Sequence, residues 1–514
     1  MNLQNKKYFT RILGAFLATA LLCAAPVAAQ MQPQQPGQDK GMPLSKVERK
    51  NMAPVSKEVL HVKLPKPAEF TLDNGLTVMI LEDHRLPTVS VTLNISGAGQ
   101  LFEPPNVSGL ASFTAQLLRE GTKTRDSKKM AEDVEKLGAT LGAGAGFGSA
   151  ASGINASGLS DNFDDWFALF VDILENPTFP ADELAKLKAR QKIQAKQVRS
   201  NAQFLAAERF ARAVFGDHPA ANIYPTEASI DAMTPELLSK WHHERYVPQN
   251  SILGIAGDVN TTTLLPKLKK WLAGWQKTDL KEPMSPKPVP PTTKRIYLVD
   301  RPGSVQTDVA IGNIAISRDD PDYPAVVVMN RIVGGGPAAR LFMNLREEKG
   351  YTYGVYSNFT ALKYPGAWQA GGNMRSEVTE GAMTEFFKEF NRIRNEPVPA
   401  AELDEAKRSV VASFALSLES PATLLNYAIT RKIYNFPANY WDKYPADVSA
   451  VTAEDVQRVA KKYVNPENMQ IAAVGEAAKI RAVLEKFGPV DVYDLEGKLM
   501  PPMAKPATQA APNR

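Results

Sequence analysis

Two stretches of this sequence hold side chains whose types and spacing bear on chemistry. One runs Asn330-Arg331-Ile332-Val333-Gly334-Gly335-Gly336-Pro337-Ala338-Ala339-Arg340-Leu341-Phe342 and continues through Leu345-Arg346-Glu347-Glu348-Lys349-Gly350-Tyr351-Thr352-Tyr353. Arg346 and Tyr353 stand seven residues apart in it. A guanidinium grips a peptide carbonyl or carboxylate with a fork of donors, and a phenol donates to a developing oxyanion. The same residues also fit a structural role. Arg346 is then a surface side chain paired with Glu347, and Tyr353 a strand aromatic sharing a face with Tyr351. Gly334, Gly335 and Gly336 read first as a turn that ends a helix.

The other stretch is a helix expected over 108–120, with Leu110, Phe113 and Leu117 as its apolar stripe. Ser112 and Gln116 are four apart, one turn above each other on a different face, with Ala115 beside them. The five histidines form no ligand set. His61 and His84 sit at a leader edge and a turn, and His218 precedes a proline. His242 and His243 are adjacent on a helix, so their rings diverge, whereas a zinc pair needs a spacing of about three or four. Gly138 to Gly158 is crowded with Gly, Ala and Ser, yet lacks the lysine and spacing of a phosphate loop.

The elements that must position these residues mix strands and helices. Asn74-Gly75 marks a two-residue hairpin turn, and Val89 to Ser96 alternates apolar and polar as a half-buried strand does. Helices are expected over about 108–120, 126–137, 160–174 and one long run from Ala181 to about Phe215. Thr234 and Thr452 read as N-caps of matching helices. This order argues for an α+β fold with helices mainly on one face of each sheet.

The chain is also duplicated. Thr234, Asn250 and Gly257 recur as Thr452, Asn468 and Gly475, each 218 residues on. Pro180-Ala181-Asp182-Glu183-Leu184 recurs as Pro399-Ala400-Ala401-Glu402-Leu403 at an offset of 219. Landmarks so far apart at one interval indicate two copies of one unit.

With 44% hydrophobic and 22% charged residues over 514, the composition is that of a globular protein of two to four domains. A net charge of +5 and the lack of basic runs interleaved with aromatics give no reason to invoke nucleic acid. Residues 1–29 read as a cleaved signal peptide, with basic Lys6, Lys7 and Arg11, a short apolar run, and Val27-Ala28-Ala29 at the cleavage site. Leu22 before the single cysteine, Cys23, is a poor fit to lipoprotein processing. A mature chain without cysteine excludes disulfides, and export to the periplasm of a Gram-negative bacterium is the expectation. No later stretch reaches the roughly 18 uninterrupted apolar residues of a membrane span. Residues 30–65 read as a flexible leader, 66–276 as one domain, and 277–294 as a stiff Pro-rich linker. A second domain spans 295–490 and a tail 491–514.

Ser108-Gly109-Leu110-Ala111-Ser112-Phe113-Thr114-Ala115-Gln116-Leu117-Leu118-Arg119-Glu120-Gly121-Thr122 resembles the zinc helix of the insulinase/pitrilysin-type (M16) metallopeptidases. That family carries His-x-x-Glu-His there, and here the three positions read Ser112, Ala115 and Gln116. A hydroxyl and an amide are poor zinc ligands, and alanine cannot take a proton. The family's third ligand, a Glu some 75–80 residues on, falls within Leu184 to Ala207, which contains no Asp or Glu. The block ending in Tyr353 resembles the family's C-terminal block, whose Arg and Tyr reach the zinc site of the other half or of a partner; they map onto Arg346 and Tyr353. In the mitochondrial processing peptidase a Gly-rich loop of the non-zinc subunit takes up substrate, which Gly334, Gly335 and Gly336 would match. The Gly138–Gly158 region is an edge strand near substrate in the family; a close-packed hairpin is the other reading.

The resemblance implies two homologous LuxS/MPP-like α/β sandwich units, each a mostly antiparallel sheet. It implies a non-zinc subunit of a heterodimeric peptidase, with no metal or cofactor of its own. A zinc-motif M16 paralogue would be the partner and a peptide or unfolded protein the substrate. The alternatives are a catalytically inert structural or peptide-binding pseudoenzyme, and an active zinc protease with unconventional ligands.

Overall fold

The computed structural model describes residues 58–501; the expected signal peptide, most of the leader and the end of the tail lie outside them. Strands β1 (Ala68–Thr71) and β2 (Thr77–Glu82) pair antiparallel around the Asn-Gly turn. The turn closes as a three-residue loop, not the two-residue one expected. Gly75 N donates to Leu72 O and Leu72 N to Leu76 O, with Gly75 at φ +87°. Glycine takes that left-handed position without a Cβ clash.

The first sheet adds β3 (Thr88–Ser96), β4 (Thr140–Gly144), β5 (Ala151–Leu159) and β6 (Ser251–Gly257) in the order β1-β2-β6-β3-β5-β4. The second contains β7 (Arg295–Asp300), β8 (Gln306–Ile314), β9 (Val355–Ala361), β10 (Pro365–Arg375), β11 (Gln470–Gly475) and β12 (Val490–Tyr493) in the order β12-β7-β11-β8-β10-β9. Both sheets are mixed: β2 lies parallel to β6, and β7 parallel to β11 and β12, the other neighbours pairing antiparallel. β3 and β8 are 218 residues apart at both ends, so the duplication holds in space.

Helices α1 (Leu110–Leu117), α2 (Ser127–Lys136), α3 (Phe163–Glu175), α4 (Ala181–Val198), α5 (Ala202–Phe215), α6 (Glu227–Ala232), α7 (Pro235–Arg245) and α8 (Thr261–Trp271) belong to the first half. In the second are α9 (Tyr323–Val333), α10 (Thr379–Asn395), α11 (Ala400–Ser417), α12 (Pro421–Ile433), α13 (Tyr440–Ser449), α14 (Ala453–Tyr463) and α15 (Ala477–Leu484), besides the short stretch Arg340–Phe342 that runs into a π-helical turn, Met343–Glu348. Thr234 and Thr452 cap α7 and α14, accepting from Leu237 N and Asp455 N. Each half builds its own large core between one sheet face and its helices.

The long helix expected from Ala181 to Phe215 is two helices. The chain breaks at Arg199-Ser200-Asn201, where the Asn201 side chain caps α5 by accepting from Phe204 N. The break has a purpose in packing. α4 stays with its own half, while α5 crosses to the second sheet, where Phe210 and Val214 bury against Ala310, Ala367 and Ala472. The second half returns the exchange: Leu425, Ala428 and Ile429 of α12 pack on Met79, Leu81, Ile252 and Ala256 of the first sheet. The two halves therefore lock through reciprocal apolar helix crossings, which the hydrophobic effect rewards at about 25 cal/mol per Å².

Two expected boundaries shift. Val62 and Leu64, placed in the leader, pack against the second core, and Leu64 N donates to Asp442 Oδ1. At the other end β12 and Met500 extend the second domain past 490. Residues 277–292 hold no helix or strand and are pinned to the first half by Gln249, which donates to Thr278 and Leu280 oxygens. Among the described residues no helix is long and apolar enough to cross a membrane.

Candidate functional site

The stripe of Leu110, Phe113 and Leu117 is buried in the first core, which fixes which way α1 faces. Its entrance is held by Glu103, which accepts from Gly109 N at 2.8 Å and Ala111 N at 2.7 Å. Burial pushes the Glu103 carboxyl up to about 7, against the pull of those two N–H donors.

Ser112 and Gln116 are half-buried on the other face, and Gln116 Nε2 donates to Ser112 Oγ at 3.0 Å. Ala115 between them is fully buried. A hydroxyl and an amide occupied with each other, beside a methyl group, do not fit a zinc ion and its general base. α4 adds no carboxylate to that face. Lys188 Nζ donates to the carbonyls of Asp231 and Met233, Lys192 pairs with Asp231, and Gln191 accepts from Tyr224 OH.

The histidines serve structure. His242 Nε2 donates to Leu174 O, and burial pushes its imidazole down to about 4. His218 accepts from Ala220 N and donates to Pro286 O, with burial lowering its pKa. His84 is exposed and meets Asp258 at 2.6 Å, a hydrogen bond that raises its pKa. Among the described residues no three His, Cys, Asp or Glu side chains group as a metal site would require.

Edge strand β4 is different in kind. A Cβ built on Gly142, Gly144 or Gly146 would meet nothing within 4 Å. Close packing therefore does not explain these three glycines, although it does explain Gly158, whose Cβ would stand 2.7 Å from Trp166 Nε1; β4 itself lies at the edge of its sheet. β4 pairs with β5 alone, leaving one line of its backbone N–H and C=O groups without a strand partner. α1 is tied to this strand, with Arg119 Nη1 donating to Leu141 O.

In the second half the glycine turn does end α9. Gly334 N and Gly335 N both donate to Asn330 O. Gly334 is buried with its carbonyl accepting from Ser357 N, while Gly335 and Gly336 remain half-buried. Arg346 lies on the π-helical turn, 45% exposed, with Nε 3.5 Å from Glu347 Oε1 and its guanidinium 5.0 Å from the Phe342 ring centroid. So exposed a pair holds the side chain weakly.

Tyr353 is not a strand residue. It stands in a loop before β9, 84% exposed, whereas Tyr351 packs against the core. Thr352 shapes this loop, accepting from Gly354 N and donating to Gly354 O. Tyr353 lines a polar cavity of about 490 Å³ with Gln203 of α5, Asp308, Tyr356, Asn358, Gln369 and Asn373. Arg346 is outside this lining. It is linked to the rim through rings, since Phe342 lies 5.5 Å from Tyr356.

Asp308 escapes a reading of the sequence. It is buried, its carboxylate accepts no hydrogen bond among the described residues, and burial raises its pKa against the opposing charge of Arg301. The available signal was a carboxylate inside the apolar strand Thr307 to Ile311, in step with Ala310 and so on the face met by α5.

Comparison with known proteins agrees with this architecture. Residues 77–225 match the family model described as insulinase (peptidase family M16), and residues 232–410 match the one described as peptidase M16 inactive domain. The chain is 21% identical over 397 residues to the uncharacterized zinc protease YmxG of Bacillus subtilis, covering 76% of this chain and 94% of that one. It is 24% identical over 358 residues to an uncharacterized zinc protease of Rickettsia bellii, covering 68% and 84%. Among solved structures, a peptidase M16 inactive domain from Pseudomonas fluorescens superposes with a TM-score of 0.74 at 28% identity, over 80% of this chain and 98% of that one. A protease from Helicobacter pylori shares the fold, with a TM-score of 0.72 at 20% identity over 80% and 100%. The two family models fall one after the other along the duplicated fold, and the chain belongs to the M16 peptidase family.

Proposed function

We propose that this chain is the non-zinc subunit of a two-chain M16 peptidase, exported to the periplasm. A paralogue with an intact His-x-x-Glu-His helix supplies metal, base and nucleophilic water. This chain closes the chamber, binds an extended peptide, and lends Arg346 and Tyr353 to the partner's site. The observation that carries the reading is an asymmetry. The zinc positions hold Ser112, Ala115 and Gln116 in an otherwise complete fold, while Tyr353 stands 84% exposed at a polar cavity.

A phenol so placed is free to donate to an oxyanion on a second molecule. The open backbone of β4, floored by glycines, suits an extended peptide added as a further strand. The half-buried Gly335 and Gly336 are the part of the glycine turn that the substrate-uptake role would use.

The test is turnover of an internally quenched peptide by the purified chain, by a zinc-motif paralogue, and by both together. The pair is expected to cleave and this chain alone to be inert. Within the pair, Tyr353→Phe and Arg346→Ala should each lower kcat by about 10²-fold, the scale of losing one oxyanion donor. Chelator-sensitive cleavage by the single chain would overturn the reading. The inert pseudoenzyme is favoured by one observation, the engagement of Arg346 with Glu347 and Phe342. Unchanged turnover in both variants would select it.

A further inference from the structure

The second half contains another cavity, of about 410 Å³, that shares no lining residue with the one at Tyr353. One wall is aromatic, built from Tyr323, Phe414, Tyr427 and Trp441. Another is the face of α11 that carries Ser409, Ser413 and Ser417 at helical spacing. Two arginines, Arg318 and Arg331, complete it. This is the make-up of a small-molecule pocket: apolar and aromatic walls with a few convergent polar groups.

The arginines show what such a molecule must carry. Arg318 is only 7% exposed, stacked 3.8 Å from the Tyr323 ring centroid and 4.8 Å from that of Phe436. Its guanidinium donates one hydrogen bond, to Tyr440 OH at 2.9 Å. Arg331 donates to Gly335 O and to Ser409 Oγ, both neutral. Among the described residues no carboxylate oxygen comes within 4.0 Å of either guanidinium. Elsewhere in the chain Arg340, Arg199 and Arg125 each meet a carboxylate, Glu402, Glu208 and Asp172 respectively. Withdrawing a charge from water without a counter-ion is costly; Arg318 bears that cost, and the half-buried Arg331 adds a second positive charge at the same cavity.

We propose that this cavity binds an apolar or aromatic molecule bearing one carboxylate, held by Arg318 and Arg331 against the aromatic wall. A free carboxylic acid and the C-terminal residue of a peptide present the same chemistry. The site borders Gly335 of the glycine turn but needs no zinc partner, so binding by this chain alone is read separately from peptidase turnover.

Calorimetric titration of the full mature chain tests it, with decanoate as free acid, a tetrapeptide ending in phenylalanine as peptide, and the C-terminal amide of that peptide. At least one carboxylate probe is expected to bind with a Kd below about 1 mM, and the tighter one names the source. The amide should bind at least about 10-fold more weakly than its acid if the peptide is the ligand. Arg331→Gln should weaken the bound probe by a similar factor. Val327→Trp, which places an indole in the cavity, should abolish binding while leaving the circular dichroism unchanged. Failure of both acids to bind at about 5 mM, an amide as tight as its acid, or unchanged binding in a folded Val327→Trp protein would each overturn the proposal.

Discussion

The interval that carries β3 onto β8 also carries Ser112 onto Asn330, so α1 and α9 can be compared position for position. In the second half the position is fully stitched. Asn330 Oδ1 accepts from Ser357 Oγ at 2.8 Å and from Trp368 Nε1 at 2.9 Å, while its Nδ2 donates to Ser357 O. In the first half, among the described residues, the Ser112 side chain bonds only Gln116, on the same helix. One copy has turned this helix face into core structure. In the other copy Ser112 and Gln116 stay half-buried beside the buried Ala115, and their side chains bond each other across one turn.

The largest effect that can break this comparison concerns the crossing helices. Each sheet has a glycine beneath its visiting helix. A Cβ on Gly312 would stand 2.0 Å from the Trp368 carbonyl and 3.0 Å from the Phe210 ring of α5. On Gly254 it would stand 2.8 Å from Ile429 Cδ1 and 2.9 Å from Leu425 Cδ2, the flexible ends of side chains on α12. Backbone cannot yield as side-chain tips do. Gly312→Ala should cost about 3–4 kcal/mol of unfolding free energy and Gly254→Ala about 1 kcal/mol. Urea denaturation decides, and an equal or reversed order would mean that the β10 backbone beside Gly312 yields as readily as the α12 side chains over Gly254.

Next in size is the stitched position. Asn330→Ala strands the Trp368 N–H and two groups of Ser357, at about 2–3 kcal/mol. Ser112→Ala and Gln116→Ala should each stay within about 0.5 kcal/mol. A large loss at Ser112 would give the first helix a structural role after all.

The fold was legible because its signals are periodic and repeated. The 218-residue interval survived in caps and turns, Thr234 with Thr452 and Gly257 with Gly475, where geometry restricts the choice of residue. The break at Arg199 to Asn201 was not legible, since the apolar pattern continues through it and only a tertiary partner, the second sheet, explains why α5 turns away. The poor fit of Ser112, Ala115 and Gln116 to zinc was readable as residue types at fixed spacing. Asp308 and Arg318 were not, because a charge in a strand or a turn looks ordinary until its burial is known.

A last prediction sharpens the same contrast through pH. Each half holds a carboxylate at the entrance of its matching helix, Glu103 for α1 and Asp322 for α9. Burial raises Glu103 to about 7. Burial also pushes Asp322 up, but Arg458 at 2.7 Å and Lys462 at 3.1 Å overcome it and hold it below its ordinary value. The signs are therefore opposite. Above pH 4.5 the unfolded chain ionises at Glu103 while the folded one keeps its proton, so stability falls as pH rises toward 7, by on the order of 3 kcal/mol. Asp322 contributes stability that is present above its unfolded value of 3.8 and lost as pH falls through its lower folded value. Glu103→Gln should remove the decline between pH 5 and 8 and leave acid denaturation alone. Asp322→Asn should weaken the protein at neutral pH while flattening its acid limb. If Glu103→Gln left the decline between pH 5 and 8 untouched, the buried carboxylate at α1 would be ionised in the folded chain, and the entrances of the two helices would be electrostatically alike.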